Sequence, residues 1–224
     1  MKKTLAALLT TTIALLFTST PLAANLSDVR PYLGADAELR YMDFYKPFGS
    51  ELLPHNYPQA NLYLGLPLNE YLALEAGYEA TGKKTRAGTD TAGTKTFQAN
   101  STGQIKALHA NLIGSFSICE QYRLKLIGLA GIARLKEKLV VVDITVNGVA
   151  VPPANNTFTF KKSKSVLRLG AGLQHMINCN WGTRAMLKWE QSGKLKTKAQ
   201  EDNNFPIRAK NSVIYSVGVF YTFN

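Results

Sequence analysis

Hydrophobic and polar residues alternate along most of this chain with the period of two that marks a β-strand bearing one apolar face. From Pro31 to Tyr41, Leu33, Ala35, Ala37, Leu39 and Tyr41 take one face, while Tyr32, Gly34, Asp36, Glu38 and Arg40 take the other. A second strand, Gln59 to Leu68, sets Ala60, Leu62, Leu64, Leu66 and Leu68 against Asn61, Tyr63 and Gly65. Asn69-Glu70 turns the chain into a third, Tyr71 to Thr81, with Leu72, Leu74, Ala76, Tyr78 and Ala80 opposite Tyr71, Ala73, Glu75, Gly77 and Glu79. The fourth, Gln104 to Ser117, places Leu108, Ala110, Leu112 and Phe116 opposite His109 and Asn111. In the fifth, Tyr122 to Leu135, two registers compete, with Tyr122, Leu124 and Leu126 on one face and Arg123 and Lys125 on the other. The sixth, Ser165 to Met176, sets Leu167, Leu169, Ala171 and Leu173 against Arg168, Gly170, Gly172 and Gln174. The seventh, Trp181 to Glu190, sets Thr183, Ala185, Leu187 and Trp189 against Arg184, Met186, Lys188 and Glu190. The last, Asn211 to Asn224, carries Val213, Tyr215, Val217, Val219, Tyr221 and Phe223 on one unbroken apolar face.

The connections alternate in length. Short turns follow strands two, four and six, and long polar stretches follow strands one, three, five and seven. Of the long stretches, Gly82 to Thr102 shows no periodicity and reads as a mobile loop. Lys136 to Lys164 includes the strongly β-forming run Leu139 to Val146, consistent with a hairpin extension. About eight strands joined this way predict an all-β chain, an eight-stranded antiparallel up-and-down barrel. Such a barrel can point its apolar face inward, as a soluble lipocalin-like barrel does, or outward toward lipid. Three features favour the outward polarity of a transmembrane barrel. The mixed face is rich in glycine, its charges are of both signs, and Tyr41, Tyr78, Trp189, Tyr221 and Phe223 sit near strand ends on the apolar face.

The N-terminus agrees with export. Lys2 and Lys3 precede an apolar run from Leu5 to Phe17 and the small residues Ala23-Ala24, the layout of a cleaved signal peptide over residues 1–24. The run falls short of the ~20 residues a spanning helix needs. Residues 25–224 are then one barrel domain.

Pro31-Tyr32-Leu33-Gly34-Ala35, Leu169-Gly170-Ala171-Gly172 and the aromatic-rich closing strand resemble the OmpA/OmpX-type family of small eight-stranded outer-membrane barrels. The resemblance implies residence in the outer membrane of a Gram-negative bacterium. It also implies contact with outer-membrane lipid and lipopolysaccharide, and delivery by a barrel-assembly machinery that reads the C-terminal strand. With the last strand closing the chain, no peptidoglycan-binding domain is expected to follow it.

Charge adds a partner class. The chain has 26 Lys+Arg against 15 Asp+Glu, and losing Lys2 and Lys3 lowers its net charge from +11 to +9. Export argues against nucleic acid and for anionic lipid or acidic host glycans. Lys83, Lys84, Arg86 and Lys95, then Lys161, Lys162 and Lys164, then Lys194, Lys196, Lys198, Arg208 and Lys210 form basic outer loops suited to polyanions, although ordinary solubilising charge gives the same pattern. Inside the barrel, Glu38, Arg40, Glu75, Arg123, Lys125, Arg168, Arg184 and Lys188 are expected to interlock as a lumen plug. Glu38 and Glu75 would be its acidic centre, with Arg168 and Arg184 their partners.

Some eight-stranded barrels resemble lipid A deacylases or acyltransferases, and a deacylase needs His and Ser together. His109 has Asn111 where a serine is wanted, and His175 precedes Met176 and Ile177. Glu51 and His55 make a poor metal pair, and Gly170-Ala171-Gly172 a poor phosphate loop. No catalytic, cofactor or metal set is therefore expected, with a lipid-modifying enzyme, an adhesin and a narrow pore as the alternatives. Cys119 and Cys179, both in short turns of an oxidising compartment, are expected to form a disulfide.

Overall fold

The computed structural model describes residues 30–44, 54–92, 94–150, 157–191 and 209–223, and all its regular elements are strands. In chain order these are β1 (Tyr32–Phe44), β2 (Asn56–Pro67), β3 (Leu72–Thr81), β4 (Lys84–Ala92), β5 (Lys95–Cys119), β6 (Leu124–Val146), β7 (Val149–Ala150), β8 (Phe158–Met176), β9 (Trp181–Glu190) and β10 (Ala209–Thr222). Eight of them close a ring, each antiparallel to both neighbours, in the order β1, β2, β3, β5, β6, β8, β9, β10 and back to β1. The seam runs from Tyr32 opposite Thr222 to Phe44 opposite Ala209, with a register shift between Met42 and Phe44. Strands β4 and β7 stand outside the ring, paired to β5 and β6 where these run on beyond it.

The faces have the polarity of a barrel in lipid. Leu64, Leu108, Leu167 and Val217 are 55–61% exposed, whereas Arg40 and Arg168 on the other face are fully covered. Burying the charges and exposing the leucines would be ruinous in water, at about 25 cal/mol per Å² of apolar surface left wet. It is favourable when the outer medium is hydrocarbon.

One stretch differs from the sequence reading. Gly82 to Thr102, expected as a loop, is a hairpin: β4 pairs with β5 from Lys84 opposite Gly103 to Ala92 opposite Lys95. It lies beyond the apolar belt, where a strand need not alternate apolar with polar residues. Ladder hydrogen bonds and β-branched threonines such as Thr85 and Thr102 hold it instead. The hairpin extension expected around Leu139 to Val146 is present: strand β6 continues to Val146 and turns through Asn147-Gly148, with φ of 52° and 79°, into β7. Two consecutive left-handed residues are what a two-residue hairpin turn requires, and Asn-Gly supplies them at least cost.

The competing registers of the fifth strand are also decided. Lys125, Ile127, Leu129, Ala133 and Leu135 point inward, while Leu126 and Ile132 face out. This sector of the lumen is apolar. Ile113, Ile127, Leu129 and Met186 cluster toward the short-turn end, and Ala107, Ala133, Leu135 and Val166 further out. With aliphatic residues on both faces, the strand could not announce which was inside. Tyr122 and Arg123 precede it in an exposed turn.

Close packing of the narrow interior explains two glycines. Gly34 is directly opposite Tyr63, and Gly65 directly opposite Tyr32. A Cβ on Gly34 would run into the Tyr63 ring, and one on Gly65 into the Tyr32 ring. Each tyrosine thus lies flat over a neighbour that has no side chain.

The expected disulfide is absent: Cys119 and Cys179 are both free. Cys119 ends β5 and Cys179 follows β8, and β6 runs between those strands. Strands β5 and β8 stand two interstrand spacings of roughly 4.8 Å apart, so only a turn leaning across β6 could bring the two cysteines within the ~7 Å that a disulfide can bridge.

Candidate functional site

Alternation on four strands delivers the charged lumen. Strand β1 points Asp36, Glu38 and Arg40 inward, β3 Glu75 and Glu79, β8 Arg168, and β9 Arg184, Lys188 and Glu190. Two connected layers result. In the layer toward the long loops, Arg168 donates from Nε to Glu190 at 3.0 Å, and from Nη1 and Nη2 to the two oxygens of Glu79 at 2.6 and 2.9 Å. Its Nη2 also reaches Glu190 at 2.5 Å. Arg40 completes the square, donating to Glu190, to Glu79 at 3.0 Å and to the Gln59 carbonyl at 3.0 Å. Two guanidinium groups and two carboxylates, all essentially inaccessible to solvent, thereby satisfy one another.

In the layer toward the short turns, Arg184 donates to Asp36 at 3.1 and 2.8 Å and to Glu75 at 2.6 Å. Its guanidinium carbon lies 3.6 Å from the centre of the Tyr63 ring, a cation–π contact inside the barrel. Tyr32 donates its hydroxyl to Glu75 at 2.8 Å. Between the layers, Lys188 donates to Glu38 at 2.5 Å, and Gln59 joins Glu38 to Arg40. His109 donates from Nε2 to Asn61 at 2.9 Å and accepts at Nδ1 from Asn111 at 2.9 Å.

Six of the eight lumen residues singled out from sequence are therefore brought together: Glu38, Arg40, Glu75, Arg168, Arg184 and Lys188. Lys125 is half-buried on the inward face, opposite Ser117 and Gln174 near the short turns, and among the described residues it forms no ion pair with either layer. Arg123 does not enter the lumen. It sits in the turn at φ 49°, its amide bonded to Glu120 and its carbonyl to Met176. The partner assignment also changes, since Arg168 meets Glu79 and Glu190, not Glu38 or Glu75. Sequence reasoning left Asp36, Glu79 and Glu190 out of the network, although each has inward parity on its strand.

The basic residues of the outer region are partly placed. Lys83 and Lys84 are exposed where β4 begins, Arg86 is half-buried on β4, and Lys161 is exposed on β8. Lys164 pairs with Glu137 at 2.9 Å, and Lys162 is half-buried beside it. Lys194, Lys196 and Lys198 lie outside the described residues, as do Arg208, Glu51 and the expected signal peptide. His55 donates from Nδ1 to the Met42 carbonyl at 3.1 Å and stacks on Tyr41. His175 stands on the outward face.

Residues 10–223 match a family model described as the outer membrane protein beta-barrel domain. No curated protein matches the chain by sequence. Among solved structures the fold is shared with the outer membrane protein OprG from Pseudomonas aeruginosa, 10% identical over 87% of this chain and 96% of that one, with a TM-score of 0.55. A major outer membrane protein from Thermus thermophilus is 14% identical over 88% of this chain and 100% of that one, with a TM-score of 0.55. Neisserial surface protein A is 16% identical over 86% of this chain and 97% of that one, with a TM-score of 0.51. With a family match over nearly its whole length, an apolar outer belt and a charged interior, the chain belongs to the outer-membrane β-barrel family of the Gram-negative outer membrane.

Proposed function

We propose that this protein is a closed, non-enzymatic barrel that serves the envelope structurally and offers basic outer strands to polyanions, lipopolysaccharide phosphates or acidic glycans. The observation that carries this reading is the lumen. Arg40, Glu79, Arg168 and Glu190 form one bonded layer across it, and Asp36, Glu75 and Arg184 a second. An eight-stranded barrel has little interior beyond what side chains fill, so two such layers leave a hydrated ion no path. An enzyme is disfavoured by the state of its best base. Both ring nitrogens of His109 are engaged by amide side chains, and neither is left to activate a nucleophile.

Planar-bilayer recording of the refolded full chain tests the reading. Conductance should be small or absent, and a large, steady single-channel current would replace the plug with a pore. Mass spectrometry of lipid A from cells with and without the protein tests the enzymatic alternative, where a changed acyl pattern would overturn the assignment.

A further inference from the structure

The outward face of the barrel carries a charge pattern that the fold does not need. On β5, β6 and β8, beyond the belt residues Leu108, Ile132 and Leu167, the outward positions include Lys106, Arg134, Lys136, Lys138 and Lys161, all exposed. Pairing makes this costly: Lys106 is directly opposite Lys136, and Lys138 directly opposite Lys161. Like charges directly across a strand pair are destabilising. None of the five has a carboxylate partner among the described residues, and Arg134 has only the Ser163 hydroxyl at 3.4 Å. Outward positions along these strands hold no Asp or Glu from Gln104 to Phe116, Leu126 to Lys138 or Lys161 to His175. The one nearby acid of β6, Glu137, points the other way and pairs with Lys164.

Solubilising charge alone would mix the signs. It would also be spread around the rim, whereas other strands end their belt in Tyr41, Tyr78 and Trp189. On β5 and β6 the cations begin one outward position beyond Leu108 and Ile132, a rise of roughly 7 Å for two residues, while on β8 the outward Ser165 and Ser163 come between Leu167 and Lys161. They therefore stand where acyl chains give way to headgroups.

We infer that this β5–β6–β8 face is a docking site for a phosphorylated glycolipid of the outer leaflet, of lipid A chemistry. Its acyl chains lie over Leu108, Ile132 and Leu167, and its phosphates bridge the opposed lysine pairs and Arg134. A phosphate set between Lys106 and Lys136 turns a repulsive pair into an attractive one. The inference rests on the reading of the chain as a polyanion-binding barrel and moves the main contact from the loops to the barrel's side.

The test uses the full chain in nanodiscs, titrated with diphosphoryl lipid A and with the same lipid dephosphorylated. A basic residue near an anionic membrane surface contributes about fivefold in affinity. The Lys136→Gln/Lys138→Gln variant should therefore lose about twenty-five-fold toward the diphosphoryl lipid, and little toward the dephosphorylated one. Without lipid it should be at least as resistant to urea as the parent, since repulsion is relieved. The loop variant Lys83→Gln/Lys84→Gln/Arg86→Gln should lose several-fold less affinity than the side variant. Loss confined to the loop variant would overturn the inference and leave the proposed function standing. Failure of the parent itself to distinguish the two lipids would overturn both, and needs no variant to fold.

Discussion

Replacing Arg168 with Met tests the lumen most directly. The side chain is wholly covered and donates four hydrogen bonds to Glu79 and Glu190. At about 1.5–3 kcal/mol for each bond to a charged group, four bonds would sum to an unrealistic loss. Arg40 already bridges the same two carboxylates and stays behind. The real penalty is one carboxylate without a counter-charge in a sealed interior, about 3–5 kcal/mol. Met fills much of the vacated volume, so the loss reads as electrostatic rather than as a cavity. The second variant, Arg168→Met with Glu79→Gln, leaves Arg40 and Glu190 as a neutral pair. It should recover about 2–3 kcal/mol relative to the sum of the single changes. Equilibrium urea unfolding in lipid-detergent micelles measures all four corners of the cycle. A single-variant cost below about 1 kcal/mol, or strict additivity, would refute the claim that these charges are mutually compensating and dry.

Three further outcomes follow from the packing and the charge. Gly65→Val should lower stability by at least about 1–3 kcal/mol, because Tyr32 must leave its place and its bond to Glu75; folding yield and urea midpoint report it, and Tyr32→Ala should partly rescue it. Alkylation of denatured, non-reduced protein should label both Cys119 and Cys179, and a mass lacking two adducts would contradict their separation across β6. Binding to heparin, which lacks acyl chains, should fall steeply as salt rises past physiological strength, where the Debye length is about 8 Å. Lys194→Gln/Lys196→Gln/Lys198→Gln should weaken that binding without changing the folded barrel, and salt-independent binding would count against a charge-driven contact.

The alternation of Leu62, Leu64 and Leu66 with Asn61, Tyr63 and Gly65 was enough to determine a strand and its two faces. Seven further runs of that kind, with short and long connections in turn, determined an up-and-down barrel. The bounds Trp181 to Glu190 were legible to the residue, because both faces of β9 are committed, one to lipid and one to the lumen. That commitment lapses in two places. Beyond the belt, β4 meets water and carries no apolar period, so only its hydrogen-bond ladder shows it to be a strand. On β6 the lumen is itself aliphatic, at Ile127, Leu129 and Leu135, so periodicity could not choose between faces. The partners of the charges were beyond the sequence altogether. Parity says that Arg168 and Glu79 both point inward, but they lie 89 residues apart. Which acid meets which base depends on how far each strand slides against the next as the barrel closes. That stagger is a property of the whole ring, and it brought Glu79 and Glu190, rather than Glu38 and Glu75, to Arg168.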